Sequence, residues 1–233
     1  MNDANKHRFF RLFGKKSNSK TRTDIFDEVI HRNLHPGFQF VQIGANDGIQ
    51  EDPIRKYIQK YQWRGILIEP VKEYFDRLVA NYADCKNLTF ENVAIDAEAG
   101  YKTIYKVKEN HASGPFQWKN GIASLNPDHH KLSGTPSGEM EAVQVEAITW
   151  ATLIDKHKIE SLDLLQIDTE GYDAMIVREI DFTRIRPNII RFEHNLTSGT
   201  HDQKDVEAVI GLLMANRYHI FADKSDCIAY QEP

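Results

Sequence analysis

The sequence is poor in cysteine and has no long apolar segment, and these absences exclude several classes of protein. Cys85 and Cys227 are the only cysteines in 233 residues, so the disulfide framework of a small secreted domain is not expected. The sequence has no run of about 18 apolar residues, which excludes a transmembrane helix. The N-terminus also lacks the apolar segment and cleavage site of a secretory signal. We therefore expect a cytoplasmic protein.

Two common nucleotide-binding motifs are also missing. The apolar strand predicted at 38–43 runs into a turn made of Gly44, Ala45, Asn46, Asp47 and Gly48. This turn has neither the G-x-G-x-x-G of dinucleotide-binding enzymes nor the Lys-Ser/Thr ending of a P-loop. It still allows a ligand to approach the backbone closely. The spacing therefore favours a ligand without a pyrophosphate.

Positive charge is scarce in the main body and concentrated at the N-terminus. The chain has 29 Lys and Arg against 34 Asp and Glu, a net charge of −5, which argues against a nucleic-acid partner. Residues 1–22, however, carry seven basic residues and one acid, Asp3. We predict a disordered, solubilising tail there. The alternative is contact with an anionic membrane or polymer surface.

The remainder, residues 23–233, is predicted to be one domain in which strands alternate with helices. Strands are expected at 38–43, 64–69, 88–95, 162–168, 188–193, 217–222 and 227–230. Helices are expected at 25–34, 52–61, 71–82, 150–157, 171–180 and 202–216. Alternation of this kind predicts an α/β fold with a mostly parallel sheet covered by helices on both faces.

An insertion interrupts the alternation. Residues 101–108 and 141–149 alternate polar and apolar residues, as a solvent-facing antiparallel pair would. Residues 109–140 between them are rich in Gly, Ser, Pro, Asn and His, and include Trp118. Long irregular insertions in compact domains are commonly functional. We interpret 109–140 as a lid or loop whose polar groups suit a sugar ring.

Ionisable residues follow several predicted strands at the point where each strand ends. Glu69 and Pro70 follow the second strand, Asp168 and Glu170 follow the strand at 162–168, and Glu193 and His194 end the strand at 188–193. Parallel strands end at one edge of the sheet, where ligands bind in α/β folds. The carboxylate of Glu69 can accept hydrogen bonds from both hydroxyls of a ribose.

The other acids allow two interpretations. Glu or His could act as a general base on a substrate hydroxyl. Alternatively, Asp168 with Glu193 and with His194 or Asn195 could bind a divalent ion such as Mg²⁺ that lowers the pKa of that hydroxyl. Glu170 also precedes a helix, where an acid is favourable without any function. The candidate catalytic residues are therefore Asp168, Glu170, Glu193 and His194.

Four segments together resemble the FkbM-type methyltransferases, a family similar to class I S-adenosylmethionine (SAM) enzymes. They lie at residues 41–48, 68–70, 92–95 and 163–172. The Ile-Asp-Thr-Glu-Gly block at 167–171 is the most specific of them. Residues 121–126 and 192–194 also resemble this family. The resemblance runs from about residue 38 to residue 231 and leaves out the basic tail.

The resemblance implies a Rossmann-like, seven-stranded, mostly parallel sheet with an antiparallel last strand. It also implies SAM as the cofactor, with its methionine half near the glycine turn, its ribose at Glu69 and its adenine near Asn92. The cofactor-binding residues predicted in this way are Gly44, Ala45, Asn46, Asp47, Gly48, Glu69, Pro70, Asn92, Val93 and Asp168. Family members with an assigned role mostly methylate hydroxyls, which implies a sugar, glycan or natural product as acceptor.

Three alternatives stay open at this point. The domain could bind SAM without turnover, or it could be a nicotinamide-dependent oxidoreductase on a similar sheet, although the missing G-x-G-x-x-G argues against the latter. It could also be a nucleic-acid 2′-O-methyltransferase that uses its basic tail. Such enzymes usually bring lysines to the reaction centre, whereas the strand ends here supply acids and a histidine.

Overall fold

The computed structural model describes residues 24–108, 121–194, 202–223 and 225–232. Its strands are β1 (Gln39–Ile43), β2 (Arg64–Ile68), β3 (Leu88–Glu91), β4 (Ala94–Ile95), β5 (Gly100–Val107), β6 (Ala123–Ser124), β7 (Met140–Ile148), β8 (Leu164–Ile167), β9 (Ile189–Glu193), β10 (His219–Ala222) and β11 (Asp226–Tyr230). Its helices are α1 (Ile25–Asn33), α2 (Arg55–Tyr61), α3 (Lys72–Asn81), α4 (His129–Ser133), α5 (Trp150–His157), α6 (Asp173–Arg178) and α7 (Gln203–Ala215). The basic tail, Trp118 and Asn195 lie outside the described residues.

Seven of these strands form one large sheet in the order β10-β11-β9-β8-β1-β2-β3. The pairs β1–β2, β1–β8, β2–β3 and β8–β9 are parallel. Strand β11 runs antiparallel to both β9 and β10. This is the Rossmann-like, mostly parallel sheet with an antiparallel last strand that the sequence predicted. Within the described residues no helix is long and apolar enough to cross a membrane.

Helices cover both faces of the large sheet because its strands are apolar on both sides. On one face Phe40 and Leu164 pack with Phe26 of α1. On the other face Val41 and the following apolar strand residues pack with Trp150 of α5. Three helices begin at residues whose side chains cap the helix. Asp24, Thr149 and Asp202 each accept a hydrogen bond from a backbone N–H in the first turn, as N-cap side chains do.

The predicted strand at 88–95 is in fact two strands in two different sheets. Residues of β3 extend the large sheet, whereas β4 pairs in parallel with β7. Asn92, between them, donates from its side-chain amide to the carbonyl oxygens of Glu69 and Pro70, at 2.8 and 3.0 Å. These bonds fix the chain where it leaves the large sheet. The apolar pattern of residues 93–95 could not reveal which sheet they join.

The second sheet, in the order β4-β7-β5-β6, contains the predicted antiparallel pair β5–β7. One of its faces is not open to solvent, because Ile104 and Val145 pack with Tyr74 of α3. Lys106 is buried and bridges Glu73 of α3 and Glu141 of β7, at 2.5 and 2.8 Å. The insertion is thus attached to the main domain by apolar contacts and by a buried cation.

Residues 121–140 of the predicted lid are more ordered than their composition indicates. They form β6, α4 and a 3₁₀ turn at Ser137–Glu139. The α4 helix ends at Gly134, whose φ of 63° is the left-handed conformation common after helices. The Gly- and Ser-rich composition therefore marked turns between short elements.

Two glycines, one buried in a strand and one exposed on a helix, provide a test of this packing. A Cβ at Gly65 of β2 would lie 2.3 Å from the ring of Phe40, whereas a Cβ at Gly211, exposed on α7, would meet no heavy atom within 4 Å. We expect Gly65→Ala to destabilise the fold by about 1–3 kcal/mol through overpacking. Gly211→Ala should stabilise it by up to about 1 kcal/mol, because alanine favours helix.

Urea unfolding followed by circular dichroism measures both changes. The packing described for β2 would be wrong if Gly65→Ala unfolded at the same urea concentration as the wild type. Gly211→Ala serves as the matched control, since it adds the same methyl group where space is free.

Candidate functional site

A cleft lies at the carboxyl ends of the parallel strands. The pairing register sets Ile43 beside Ile68 and beside Ile167. The residues that follow these three positions, Gly44, Glu69 and Asp168, therefore meet at one edge, and all three line the cleft. The predicted convergence of the strand ends is thus present. Residues 121, 123 and 125 of the insertion also line the cleft.

The glycine turn touches its neighbouring strands through its backbone. The N–H groups of Gly44 and Ala45 both donate to the carbonyl oxygen of Ile68, each at 3.0 Å. Gly44 has a φ of 80°, and a Cβ there would lie 1.7 Å from the carbonyl oxygen of Asp168. Any side chain at this position would displace the end of β8, so the turn requires glycine. The turn therefore packs directly against the end of β8.

Glu69 connects this turn to the end of β2. Its carboxylate accepts hydrogen bonds from the backbone N–H groups of Asn46 and Val71, at 2.9 and 2.8 Å. The side chain is buried. This burial raises the pKa of Glu69 to about 7, against the two hydrogen bonds, and the nearby charge of Asp47 acts in the same direction as burial. Glu69 therefore changes charge near neutral pH.

Three of the predicted cofactor-binding residues support the cleft without lining it. Asp47 accepts hydrogen bonds from the N–H groups that follow it in the turn. Gly48, with φ of 71°, has no room for a Cβ beside Tyr82, 2.5 Å away. Asn92 holds the end of β2, as described above. Ala45, Asn46, Pro70 and Val93, together with the three strand-end residues, do line the cleft.

Asp168 is the most electrostatically perturbed acid of the site. Its side chain is exposed to the cleft, and protein atoms enclose it on the remaining sides. This partial desolvation, followed by the negative charges of Glu170, Glu193 and Asp173, raises the pKa of Asp168 well above its usual range. A carboxylate surrounded by like charges accepts a proton readily.

Glu170 also lines the cleft, but it is held from the insertion. Its carboxylate lies 3.2 Å from Nε2 of His129, which is buried in α4. Its carbonyl oxygen accepts a hydrogen bond from Oγ of Ser124, at 2.8 Å. The prediction of Glu170 as an acid that precedes a helix did not include these contacts with His129 and Ser124.

The structure separates the other two candidate catalytic residues from the cleft lining. Glu193 ends β9, and its backbone N–H donates to Oδ1 of Asp173, at 3.3 Å. His194 is buried, with Nε2 3.2 Å from the carbonyl oxygen of Asp223 in the β10–β11 turn. Its ring is thus turned toward the antiparallel end of the sheet. His194 does not line the cleft, and its catalytic role stays a prediction from the sequence.

The predicted metal site fails for the same reason. Within the described ranges no group of three or more His, Cys, Asp or Glu side chains is placed to hold a metal ion. Asp168 faces the cleft, whereas His194 faces Asp223. The three ligands proposed from the sequence, Asp168, Glu193 and His194, therefore do not form one coordination site.

Several residues of the site were not predicted from the sequence. Gln42 and Gln166 stand side by side on β1 and β8, are buried and line the cleft. Asp52, which also lines it, accepts hydrogen bonds from the backbone N–H groups of Ile54 and Arg55 at the start of α2 and from the Gln42 amide. The signal available was the presence of glutamine in two otherwise apolar strands. His129 gave no such signal, because it lies in the insertion and Glu170 lies far from it in the sequence.

Comparison with known proteins yields one family match and several structural similarities. The model of the methyltransferase FkbM domain matches residues 42–220. A search of curated proteins found no significant match. A methyltransferase FkbM from Methylobacillus flagellatus KT has a similar structure, with a TM-score of 0.50 and 13% identity, covering 84% of this chain and 44% of that one. This chain thus spans less than half the length of that protein.

Two further solved structures are similar at lower scores. The precorrin-6y C5,15-methyltransferase from Geobacter metallireducens GS-15 has a TM-score of 0.44 and 11% identity, covering 94% of this chain and 95% of that one. A fibrillarin from Aeropyrum pernix, crystallised with natively bound SAM, has a TM-score of 0.41 and 13% identity, covering 88% and 74%.

The family match covers well over half of the chain, and the sheet order agrees with the Rossmann-like class I methyltransferase fold. The residues of the glycine turn, of the second strand end and of the cleft acids all fall inside the matched segment. The chain therefore belongs to the methyltransferase FkbM domain family.

Proposed function

We propose that this protein is a SAM-dependent methyltransferase that methylates a hydroxyl group of a sugar, glycan or natural product. The observation that carries the proposal is the meeting of Gly44 and Glu69 in one cleft, inside a segment matched by the FkbM domain. A glycine turn beside a strand-end carboxylate is how α/β sheets hold the ribose of a nucleoside cofactor.

The residues of the cleft fit SAM. Oε1 of Gln42 is buried at the cleft and has no hydrogen-bond partner among the described residues. A buried acceptor without a partner costs about 1–3 kcal/mol, and a ligand ammonium group would satisfy it. The charged side chains described in the lining are all acids: Glu51, Asp52, Glu69, Asp168 and Glu170. Such a lining suits a cofactor that carries positive charge on its sulfonium and ammonium groups.

SAM, when bound, supplies an electrophilic methyl group. The protein must then hold the acceptor oxygen in line with that group, which alone can account for much of the rate. It must also take up the hydroxyl proton. Asp168 and Glu170 are the acids placed to do so, and the raised pKa of Asp168 brings it closer to the pH at which a general base works well.

The same lining argues against a nucleic-acid acceptor. Phosphate groups are bound by lysine, arginine and backbone N–H groups, whereas the described lining contains no lysine or arginine. Uncharged hydroxylated acceptors meet no electrostatic penalty there. A sugar or natural product is therefore favoured over RNA. Binding of SAM without turnover would remain if no acceptor reacted.

Cofactor affinity should depend on pH through Glu69. Its pKa of about 7 means that the carboxylate is protonated below that pH and ionised above it. Only the ionised form accepts hydrogen bonds from both ribose hydroxyls. We expect the affinity for S-adenosylhomocysteine, measured by isothermal titration, to be low at about pH 6 and to rise toward about pH 8.

Glu69→Gln should weaken this binding roughly 10- to 100-fold at about pH 8, the effect of losing hydrogen bonds to a charged group. It should also abolish the pH dependence between these limits. Glu146→Gln, on the exposed side of β7, is the matched control and should bind as the wild type does. A Glu69→Gln protein with wild-type affinity and pH profile would rule out the ribose role of Glu69.

Asp168 should matter for turnover more than for binding. Asp168→Asn keeps the size of the side chain but removes a base, so we expect kcat to fall about 100- to 10,000-fold. Transfer of a labelled methyl group to a panel of sugars and hydroxylated natural products measures this change. His194→Asn, a substitution away from the cleft, should reduce kcat far less. The assignment of Asp168 would be wrong if the two variants lost equal activity.

A further inference from the structure

The insertion contacts one of the cleft acids, Glu170, at both its side chain and its carbonyl group. Nε2 of His129 lies 3.2 Å from Oε2 of Glu170. Oγ of Ser124 donates to the carbonyl oxygen of the same residue, at 2.8 Å. Two residues from outside the large sheet thus contact Glu170, one at its carboxylate and one at its backbone carbonyl.

Glu170 needs such support because of its backbone conformation. Its φ is 54°, and Gly171 after it has a φ of 107°. A non-glycine residue in the left-handed region costs of the order of 1 kcal/mol or more and persists only where its surroundings hold it. Such conformations cluster at functional sites. Here the conformation directs an acid into the cleft beside Asp168.

The orientation of His129 is itself fixed. The residue is 1% exposed, and its backbone N–H donates to the carbonyl oxygen of Asn126, at 3.1 Å. Nδ1 of the ring is buried and has no hydrogen-bond partner among the described residues. Among the described residues, the polar contact of the ring is therefore the one between Nε2 and Glu170. An apolar side chain would fill the same space without leaving a buried nitrogen unpartnered, which indicates that the contact with Glu170 is what the histidine provides.

We propose that His129 is a positioning residue that holds the Glu170 carboxylate against Asp168, so that the two acids together receive the proton of the acceptor hydroxyl. This rests on the proposed function. In the transfer, the O–H bond of the acceptor and the carbon–sulfur bond of SAM break while the new O–CH₃ bond forms. The proton goes to the Asp168–Glu170 pair, and the products are the methylated acceptor and S-adenosylhomocysteine.

The kinetic test compares three variants of the 233-residue chain. His129→Leu removes the nitrogen and should lower kcat about 100-fold, as expected for a misplaced reacting group, without changing the affinity for S-adenosylhomocysteine. His129→Gln places an amide donor near the position of Nε2 and should recover most of the activity. His130→Leu is the control: His130 lies next to His129, contacts the carbonyl oxygen of Pro127 and does not line the cleft.

A second measurement does not depend on activity. In protein labelled with ¹⁵N-histidine, Glu170→Gln should shift the ring nitrogen resonances of His129 and leave those of His130 in place. Unchanged His129 resonances would overturn the proposal, as would equal kcat losses in His129→Leu and His129→Gln, which would indicate packing alone. If the wild type bound no S-adenosylhomocysteine, the proposed function would fail, while the resonance shift would still decide whether His129 holds Glu170.

Discussion

The site depends on a buried carboxylate that joins two strand ends through their backbones. Glu69 accepts one hydrogen bond from the glycine turn and one from the chain beyond β2. Its burial makes its charge costly, so these two bonds must offset part of the desolvation. Because Asn92 in turn holds the carbonyl oxygens of Glu69 and Pro70, the ends of the first three strands form one connected unit. The position of the cleft follows from that unit.

The architecture was predictable because local sequence patterns indicate its strands and their ends. Apolar runs that end in Gly44, Glu69 and Asp168 predicted the strands and the edge at which they meet, and the register confirms that edge. The splitting of residues 88–95 between two sheets was not predictable. The chain changes sheets at Asn92, whose amide bonds to residues more than twenty positions earlier in the chain, and the local pattern of residues 88–95 does not encode that contact.

The site was predictable only in part, for a related reason. Their positions after a strand end placed Asp168 and Glu170 at the cleft. The same pattern could not give the direction of the His194 ring, which contacts the carbonyl oxygen of Asp223. The partners of Glu170 come from the insertion, and composition alone made that segment look irregular. Side-chain direction and long-range contacts are set by tertiary packing, which a strand pattern does not encode.

The attachment of the insertion has a consequence for how such a protein can diversify. The insertion, which lines the cleft, also holds Glu170 through Ser124 and is attached to α3 through Lys106. Exchanging this segment would therefore change part of the cleft lining and the support of Glu170 in a single event. A grafted insertion would therefore have to bring residues equivalent to both Ser124 and Lys106.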